Sequence, residues 1–293
     1  MEAPYLTVAI VTVGRHEKLE RVLRAFSRLD PGSPPFEVVV VIDGDDPPTR
    51  SLLARDHPFP LRAFPQPHRG PGPARNLAAA EARGNLLLFV NDDTRPHPGC
   101  LVAHQRAHEQ HGTCIVLGST AWDPEAETTP YMAWLAPAGH QNNFARLRPH
   151  GNVPWDAVWA TNISPPRSWV LDEPFDPAYP YACLDDGEWA YRQYRRGRRA
   201  VFVPEAILYH DHHYTGPAEF GARAREFGAA ARYVVSRHPQ LTWRFTVRPV
   251  LAAAVRLASL ALPSPRRRER LWDLRFRLDY LAGLLWPPAR PRR

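Results

Sequence analysis

The stretch NLLLFVNDDTRPHPG, from Asn85 to Gly99, decides the fold. Its first part, Leu86 to Val90, is apolar without a break, which is typical of a strand buried on both faces of a parallel sheet. Asn91, Asp92 and Asp93 follow directly. Adjacent carboxylates at the end of a buried strand either cap the next element or bind a cation, and the rest of the chain has to decide between these two interpretations.

Two other apolar runs, Leu6–Val13 and Phe36–Asp43, read as buried strands of the same kind. Helical segments with apolar residues at regular spacing or many alanines lie between the runs, as at 16–29 and 73–84. This alternation predicts an α/β fold of the Rossmann-like type, with a mostly parallel sheet, helices on both faces, and a helical C-terminal extension.

Polar residues come at the ends of these strands. Gly14 and Arg15 follow the first strand, Asp43 ends the second, and the acidic pair follows the strand at 86–90. Because parallel strands present their carboxyl ends at one edge of a sheet, we expect these residues to line one crevice. A divalent cation removes the repulsion between carboxylates there, and Mg²⁺ or Mn²⁺ usually arrives with substrate phosphates.

The bulk composition limits the other classes. The chain has 293 residues with a net charge of +7, and residues 244–293 alone hold twelve arginines against three acidic residues. Three cysteines without a CxxC spacing favour neither a disulfide framework nor a zinc–thiolate site. The N-terminus lacks a signal-peptide pattern, and no run of about 18 apolar residues is present. We therefore expect a cytoplasmic protein, with peripheral attachment to the inner face of the plasma membrane as an option.

A second acidic cluster begins a helix near the middle of the chain. Asp185 and Asp186 precede an amphipathic segment that ends at Gly197. The simpler interpretation is structural: one acid caps the helix, and the acids of its first turn interact favourably with the helix dipole. The functional interpretation is that one of them is a general base facing a metal–phosphate site. His210 and His212 follow the next extended segment, which the capping interpretation leaves unexplained.

Residues 123–180 are irregular and rich in Trp, Pro and Asn, which is typical of functional loops. Aromatic rings stack on sugars, and amides hydrogen-bond sugar hydroxyls. Trp159 and Asn162, with Asp185, are the candidates for the acceptor side. For any single aromatic residue, packing in a small core is the simpler interpretation.

On the helix at 100–111, His104, His108 and His111 share one side. That spacing suits a metal, but the HExxH pattern is absent, and we expect a solvated surface without a metal.

The chain resembles the family-2 glycosyltransferases of the GT-A fold over about residues 5–235. Five pieces carry the resemblance in order: VAIVTVGRHEKLERVLRAF, EVVVVIDGDD, GPGPARNLAAAEARGNLLLFVNDDTRPHPG, FDPAYPYACLDDGEWAYRQYRRGRRAVFVP, and the histidines after it. Asn91 stands where many members have the first acid of the DxD-type motif, and Asp185 stands where they usually have Glu.

The resemblance implies an inverting transfer from a nucleotide-diphosphate sugar, with a UDP-sugar favoured. It implies nucleotide contacts for Thr12, Gly14, Arg15, Asp43, Arg75 and Asp92. It implies that Asp93, with His210 or His212, holds Mn²⁺ or Mg²⁺, and that Asp186 is the catalytic base. The acceptor would be a hydroxyl of a saccharide or of a lipid-linked saccharide, as in cell-envelope polysaccharide synthesis.

Residues 1–240 are predicted to form the catalytic domain, with a nucleotide-sugar half at about 1–120 and an acceptor half at about 121–240. Residues 241–293 would form a basic amphipathic tail. This tail could bind an anionic membrane surface, or it could pack on the catalytic domain or on a homodimer partner. Its many apolar residues make nucleic-acid binding the least favoured of these interpretations.

Two other functions compete with glycosyl transfer. A nucleotidyltransferase would need a glycine-rich loop bearing a lysine, but the only lysine, Lys18, falls on a predicted helix. A non-catalytic nucleotide- or sugar-binding relative is disfavoured because Asp93 and Asp186 are both present.

Overall fold

The computed structural model describes residues 4–136, 141 and 143–286. Eight strands form one sheet over these residues: β1 Leu6–Thr12, β2 Phe36–Asp43, β3 Leu61–Gln66, β4 Leu86–Asn91, β5 Thr94–Pro96, β6 Ile115–Trp122, β7 Asn162–Ser164 and β8 Ala200–His210. The α-helices of the same residues are α1 His16–Phe26, α2 Pro47–Leu53, α3 Pro71–Glu81, α4 Cys100–His111, α5 Pro130–Leu135, α6 Arg167–Asp172, α7 Asp185–Arg195, α8 Pro217–Arg237, α9 Arg248–Ser259 and α10 Arg267–Leu285.

The strand order is β3-β2-β1-β4-β7-β6-β8-β5. Four neighbouring pairs are parallel, and the pairs that involve β7 and β5 are antiparallel. The mostly parallel α/β sheet expected from the sequence is therefore confirmed. The short strands β3 and β7 were not foreseen, because β3 alternates exposed with half-buried positions and β7 has only three residues.

The apolar runs are buried on both faces of the sheet, as their composition predicts. In β2, Val38, Val40 and Ile42 join the core that contains α1, whereas Val39 and Val41 join the core that contains α3. Successive side chains of a strand point to opposite faces, so only a continuous apolar run fills both cores.

The sheet curls so that its last strand returns to its middle. β4 is fourth in the order and β5 is eighth, yet only Asp92 and Asp93 connect them. Two linking residues allow a separation of at most about 11 Å between the Cα atoms of Asn91 and Thr94. The acidic pair thus lies where the curled sheet closes on itself.

The chain forms two compact units, of which the first comprises residues 1–128, 136–178 and 185–212. The second comprises 129–135, 179–184 and 213–293. The predicted division at residue 240 stays a prediction, and residues 287–293 of the predicted tail lie outside the described part.

Within the second unit, α10 packs closely on α8. A Cβ added at Gly283 would lie 1.9 Å from the carbonyl oxygen of Arg225, and one added at Gly228 would lie 2.0 Å from that of Tyr280. Only glycine allows two helix backbones to approach so closely. Over the described residues, no helix has the length and apolar character needed to cross a bilayer.

Candidate active site

Asp93, His210 and His212 form a cluster with metal-ligand geometry. Each offers one ligand atom, and these atoms lie within 4.8 Å of one another. Nε2 of His210 is 3.5 Å from Oδ2 of Asp93, whereas Oδ1 of Asp93 is buried without a hydrogen-bond partner among the described residues. A buried carboxylate oxygen that lacks a donor, beside two imidazoles, suits a divalent cation.

The strand register produces this cluster. β5 pairs with the end of β8 so that Thr94 lies opposite His210, and the backbone N–H of Asp211 donates to the carbonyl of Asp93 at 2.8 Å. The residue just before β5 and the last residue of β8 are therefore neighbours, although they are far apart in sequence. His212 follows two positions later, and its ring stacks on that of His210.

Asp92 lies beside the cluster and is held by the first loop. Its carboxylate accepts hydrogen bonds from the Thr12 hydroxyl at 2.8 Å and from Nη1 of Arg15 at 3.1 Å. The same Arg15 nitrogen is 3.3 Å from Asp93. More than half of the Arg15 side chain remains exposed, so its guanidinium can also reach a bound anion.

The two neighbouring carboxyls have opposite pKa shifts. Burial and the charge of Asp93 raise the pKa of Asp92, against the opposing effects of Arg15 and Thr12. Burial also acts to raise the pKa of Asp93, but the hydrogen bond and charge of His210, with Arg15 and Lys18, lower it to about 2. Asp93 is therefore ionised at neutral pH, as a metal ligand must be.

Other residues fix the histidines in place. The ring of Trp122 stacks on His210 with 5.6 Å between centroids, and the side-chain amide of Gln141 is 3.1 Å from Nδ1 of His210. Burial, the neighbouring His210 and Lys18 lower the pKa of His212 to about 4, so this imidazole is neutral at pH 7. A neutral imidazole has a lone pair available for a cation.

The loop after β1 is anchored to the start of α2. Gly14 adopts a φ of +66°, which favours glycine, and its N–H donates to Asp46 at 2.7 Å. Asp46 also caps α2 through the N–H of Thr49. The loop that carries Arg15 is thereby tied to a second element.

Asp43 stands at the end of β2, as expected, but its carboxylate is already engaged. Oδ1 accepts from the side chain of Gln66 at 2.7 Å and from the N–H of Arg69 at 2.8 Å, and Oδ2 accepts from the N–H of Gly70 at 2.9 Å. Nδ1 of His68 is also 2.9 Å from Oδ2. Asp43 therefore shapes the loop at 66–70 that leads into α3, and its contact with a nucleotide base stays a prediction.

The second acidic cluster opens α7. Nη1 of Arg75 is 2.5 Å from Oδ2 of Asp185, and both side chains are nearly buried. Burial raises the pKa of Asp185 and is only partly offset by the charge of Arg75, so that with the neighbouring Asp186 the value is about 6. The guanidinium of Arg75 is thus paired with Asp185, and the nucleotide contact expected for Arg75 stays a prediction.

Asp186 is held by backbone donors. Oδ2 accepts the N–H of Ala160 at 2.9 Å, and Oδ1 accepts that of Gly187 at 2.8 Å. Ala160 lies two residues before β7, whose Asn162 pairs with Val90 of β4. Asp186 is therefore placed at the same end of the sheet as the acidic pair that follows β4.

Asn162 lies inside the core, and its predicted acceptor contact stays a prediction. Asn162 is fully buried, and its amide donates to the carbonyls of Ser119 and Ala206, at 2.8 Å each. Its Oδ1 is 2.9 Å from Nε2 of His104, so both N–H groups and the oxygen of the amide already have protein partners. Trp159 is partly buried on the core, and its acceptor role stays a prediction.

The expectation of a solvated histidine surface on α4 is wrong for His104 and His108. His104 is fully buried, and its two ring nitrogens contact Ser164 and Asn162. His108 is also buried and contacts the same Ser164 hydroxyl at 2.8 Å. The two histidines thus belong to one buried hydrogen-bond network through Ser164, and their contacts are with protein groups.

Sequence reasoning missed Lys18 and Gln141. Nζ of Lys18 donates to the carbonyl of Asp211 at 2.6 Å, which places the amine beside the histidine cluster. Its place on α1, one turn after the Gly14–Arg15 loop, was the available signal. Gln141 lies in an irregular segment, where spacing gives no signal.

The profile of glycosyl transferase family 2 matches residues 7–163, which is more than half of the chain. No curated protein matches the sequence. The matched segment includes the loop after β1, the acidic pair and the strand β7, whereas α7 and the histidines at the end of β8 lie beyond it.

Solved structures support the fold. The mannosyltransferase PcManGT from Pyrobaculum calidifontis, in complex with GDP-Man and Mn²⁺, is 18% identical, with 99% of this chain and 89% of that chain covered and a TM-score of 0.67. TarS 1–349 from S. aureus is 17% identical, with 94% and 90% covered and a TM-score of 0.54. TarS 1–349 is also solved in complex with UDP and with UDP-GlcNAc. At these identities the likeness shows the GT-A fold alone, and it is the profile match over more than half of the sequence that identifies this chain as a glycosyltransferase of family 2.

Proposed function

We propose that this glycosyltransferase moves a sugar from a nucleotide-diphosphate sugar to an acceptor hydroxyl with inversion, and that it depends on Mn²⁺ or Mg²⁺. The observation that carries the proposal is the cluster of Asp93, His210 and His212, beside a loop that places Arg15 on the acidic pair. Structural caps would not require two histidines from a distant strand to meet one of these acids.

The residues present fit a divalent cation. Asp93 is ionised, one of its buried oxygens lacks a donor, and His212 is neutral. Asp93, His210 and His212 would hold the ion, which when bound would neutralise charge on the diphosphate leaving group. A carboxylate with imidazoles is compatible with Mn²⁺, and PcManGT is solved with this ion.

The donor would lie along the carboxyl ends of β1, β2 and β4. Arg15 and Lys18 supply positive charge near the acids, which favours a diphosphate, and Asp92 would contact the ribose. The solved relatives bind GDP-Man in one case and UDP-GlcNAc in the other. We keep a UDP-sugar as the first donor to test and a GDP-sugar as the second.

Asp186 would act as the general base. The two backbone N–H groups that hold its carboxylate orient it without using up its acceptor capacity. In the reaction, the acceptor oxygen forms a bond to the anomeric carbon while the bond from that carbon to the diphosphate oxygen breaks. The hydroxyl proton moves to Asp186, and the nucleoside diphosphate leaves from the opposite face of the sugar.

Calorimetry with UDP and GDP, in Mn²⁺ and then in EDTA, tests the donor site. We expect binding that needs the metal and that weakens at least ten-fold in Asp93→Ala, because a ligand of the ion is lost. Asp45→Asn, at an exposed acid paired with Arg50, is the matched control and should bind like the wild type. Binding that ignores both EDTA and Asp93→Ala would contradict the metal role.

Product detection with a set of nucleotide sugars tests the base. Asp186→Asn should abolish transfer while nucleotide affinity changes by less than about three-fold, because the amide keeps the shape but cannot accept the proton. Loss of both binding and transfer in a folded variant would show that Asp186 is a structural cap instead.

A further inference from the structure

Helix α9 presents an apolar side to solvent. Its exposed apolar residues are Val250, Leu251, Ala254, Val255, Leu257 and Ala258. At 100° per residue these six positions fall within about 160° of the helix circumference, so they form one continuous side. Val255 is 69% exposed and Leu257 is 61% exposed, which is unusual for side chains of this size.

The exposed large apolar residues of this protein are concentrated in the segment that contains α9. Of the fourteen exposed large apolar side chains among the described residues, eleven lie between residues 243 and 286. The other three, Val13, Leu171 and Tyr194, are dispersed over the first unit. A cluster of this kind marks a surface that is covered in the working state of a protein.

The opposite side of α9 is fixed to the protein. Ala253 is buried, and Nε of Arg256 forms an ion pair with Asp273 of α10. Asp273 is itself buried and also pairs with Arg277. Turning α9 to hide its apolar side would break this buried ion pair, so the orientation of the helix is set by the structure.

The exposed charge of the segment that contains this helix is positive. The exposed arginines between residues 239 and 286 are Arg248, Arg266, Arg267, Arg268 and Arg275. The acidic residues of that segment are Asp273 and Asp279, which are buried in ion pairs, and Glu269, which is half-buried. On α10 the exposed Leu271 and Leu278 each directly follow an arginine, and Leu285 is also exposed.

We propose that the apolar side of α9 inserts into the interface of an anionic membrane, with the flanking arginines on lipid phosphates. Apolar side chains that insert shallowly, flanked by cationic residues, are the signature of an interfacial helix. The twelve residues of α9 extend only about 18 Å, so the helix lies on a bilayer and does not cross it. A second copy of this chain in a symmetric contact would bring the same arginines together, which disfavours self-association. This proposal goes beyond the transferase site and does not depend on its donor.

Co-sedimentation of the full chain with vesicles tests the surface. We expect binding to phosphatidylcholine mixed with phosphatidylglycerol, and at least ten-fold weaker binding to phosphatidylcholine alone. Val255→Glu and Leu251→Glu should each weaken binding about ten-fold, because each removes one inserted apolar side chain. Arg267→Gln should weaken binding about five-fold, with a smaller dependence on salt.

Leu171→Glu is the matched control, because Leu171 is an exposed leucine of the first unit that lies on α6. It should bind vesicles like the wild type, and thermal melting should show that all variants are folded. Failure of the wild type to sediment with anionic vesicles, or equal binding by Val255→Glu, would overturn the proposal. So would a wild-type dimer that Val255→Glu converts to a monomer without any vesicle binding, since a second copy would then cover the surface.

Discussion

The buried histidines of α4 predict that acid destabilises this protein over a defined pH range. Nε2 of His104 is 2.9 Å from Oδ1 of Asn162, whose amide donates both N–H groups to backbone carbonyls. That oxygen can only accept, so Nε2 of His104 carries the proton. Nδ1 of His104 then accepts from the Ser164 hydroxyl, whose oxygen accepts from Nε2 of His108. The network is complete when both imidazoles are neutral.

The magnitude follows from linkage. Burial lowers the pKa of His104 and of His108 from 6.5 to about 4 each. Well above pH 6.5 both histidines are neutral in the folded and in the unfolded chain, so they cost no unfolding free energy there. As pH falls from 6.5 to 4, these histidines bind protons in the unfolded chain but not in the folded chain. Each histidine thereby lowers the unfolding free energy by about 3 kcal/mol over this range, at about 1.4 kcal/mol per pH unit.

Urea unfolding at several pH values between 4 and 7.5 measures this effect. His104→Gln keeps hydrogen-bonding groups but cannot ionise, so between pH 7.5 and 4 it should lose about 3 kcal/mol less unfolding free energy than the wild type. His111→Gln, on the same helix and half-buried, controls for the removal of a histidine and should follow the wild type. If His104→Gln and the wild type lose stability with the same pH slope, the imidazole is not held neutral by burial, and the network assigned here is wrong.

Three other perturbations test separate parts of the structure. Arg75→Met should lower the unfolding free energy by about 3–5 kcal/mol at pH 7 in chemical denaturation and by less at pH 5, because it leaves the carboxylate of Asp185 buried without its partner until protonation relieves it. Equal loss at both pH values would contradict the ion-pair assignment. Gln141→Leu should weaken Mn²⁺ affinity in calorimetry by about ten-fold, because the amide that orients His210 is lost; unchanged affinity would show that Gln141 only fills space. Gly283→Ala should cost at least about 2 kcal/mol in thermal melting, because its Cβ would lie 1.9 Å from a carbonyl oxygen of α8; a neutral result would mean that the two helices separate easily.

The sequence was sufficient to predict the parallel part of the sheet and several of the positions that surround its edge. Continuous apolar runs such as Leu86–Val90 leave a buried strand as the simplest interpretation, and acidic residues that follow them must lie at its carboxyl end. The grouping of Asp93 with His210 and His212 followed from the family resemblance, and the structure brings these residues together.

The sequence did not predict which polar side chains are buried in the core. His104 is a polar residue on a predicted helix and Asn162 lies in an irregular segment, and only the contact between α4 and β7 shows that they pair with each other inside the core. The tail illustrates the same limit. Arg and Leu in α10 suggested an interfacial helix, but close packing through Gly283 commits part of α10 to α8. The continuous exposed apolar side lies on α9, and α10 adds three exposed leucines.

The curl of the sheet explains why a buried strand ends in two carboxylates. Thr94 must pair with His210 directly after the chain leaves β4, so residues 92 and 93 have to bridge the middle of the sheet and its last strand. Both side chains are therefore buried at the closure, where Thr12 and Arg15 approach Asp92 from β1 and the histidines approach Asp93 from β8. Two neighbouring charges in such a position would be costly for a fold without a ligand, because burial penalises each ionised group. The cost becomes reasonable if the same closure assembles a cation site from strands that are distant in sequence, which is the arrangement that the proposed transfer reaction requires.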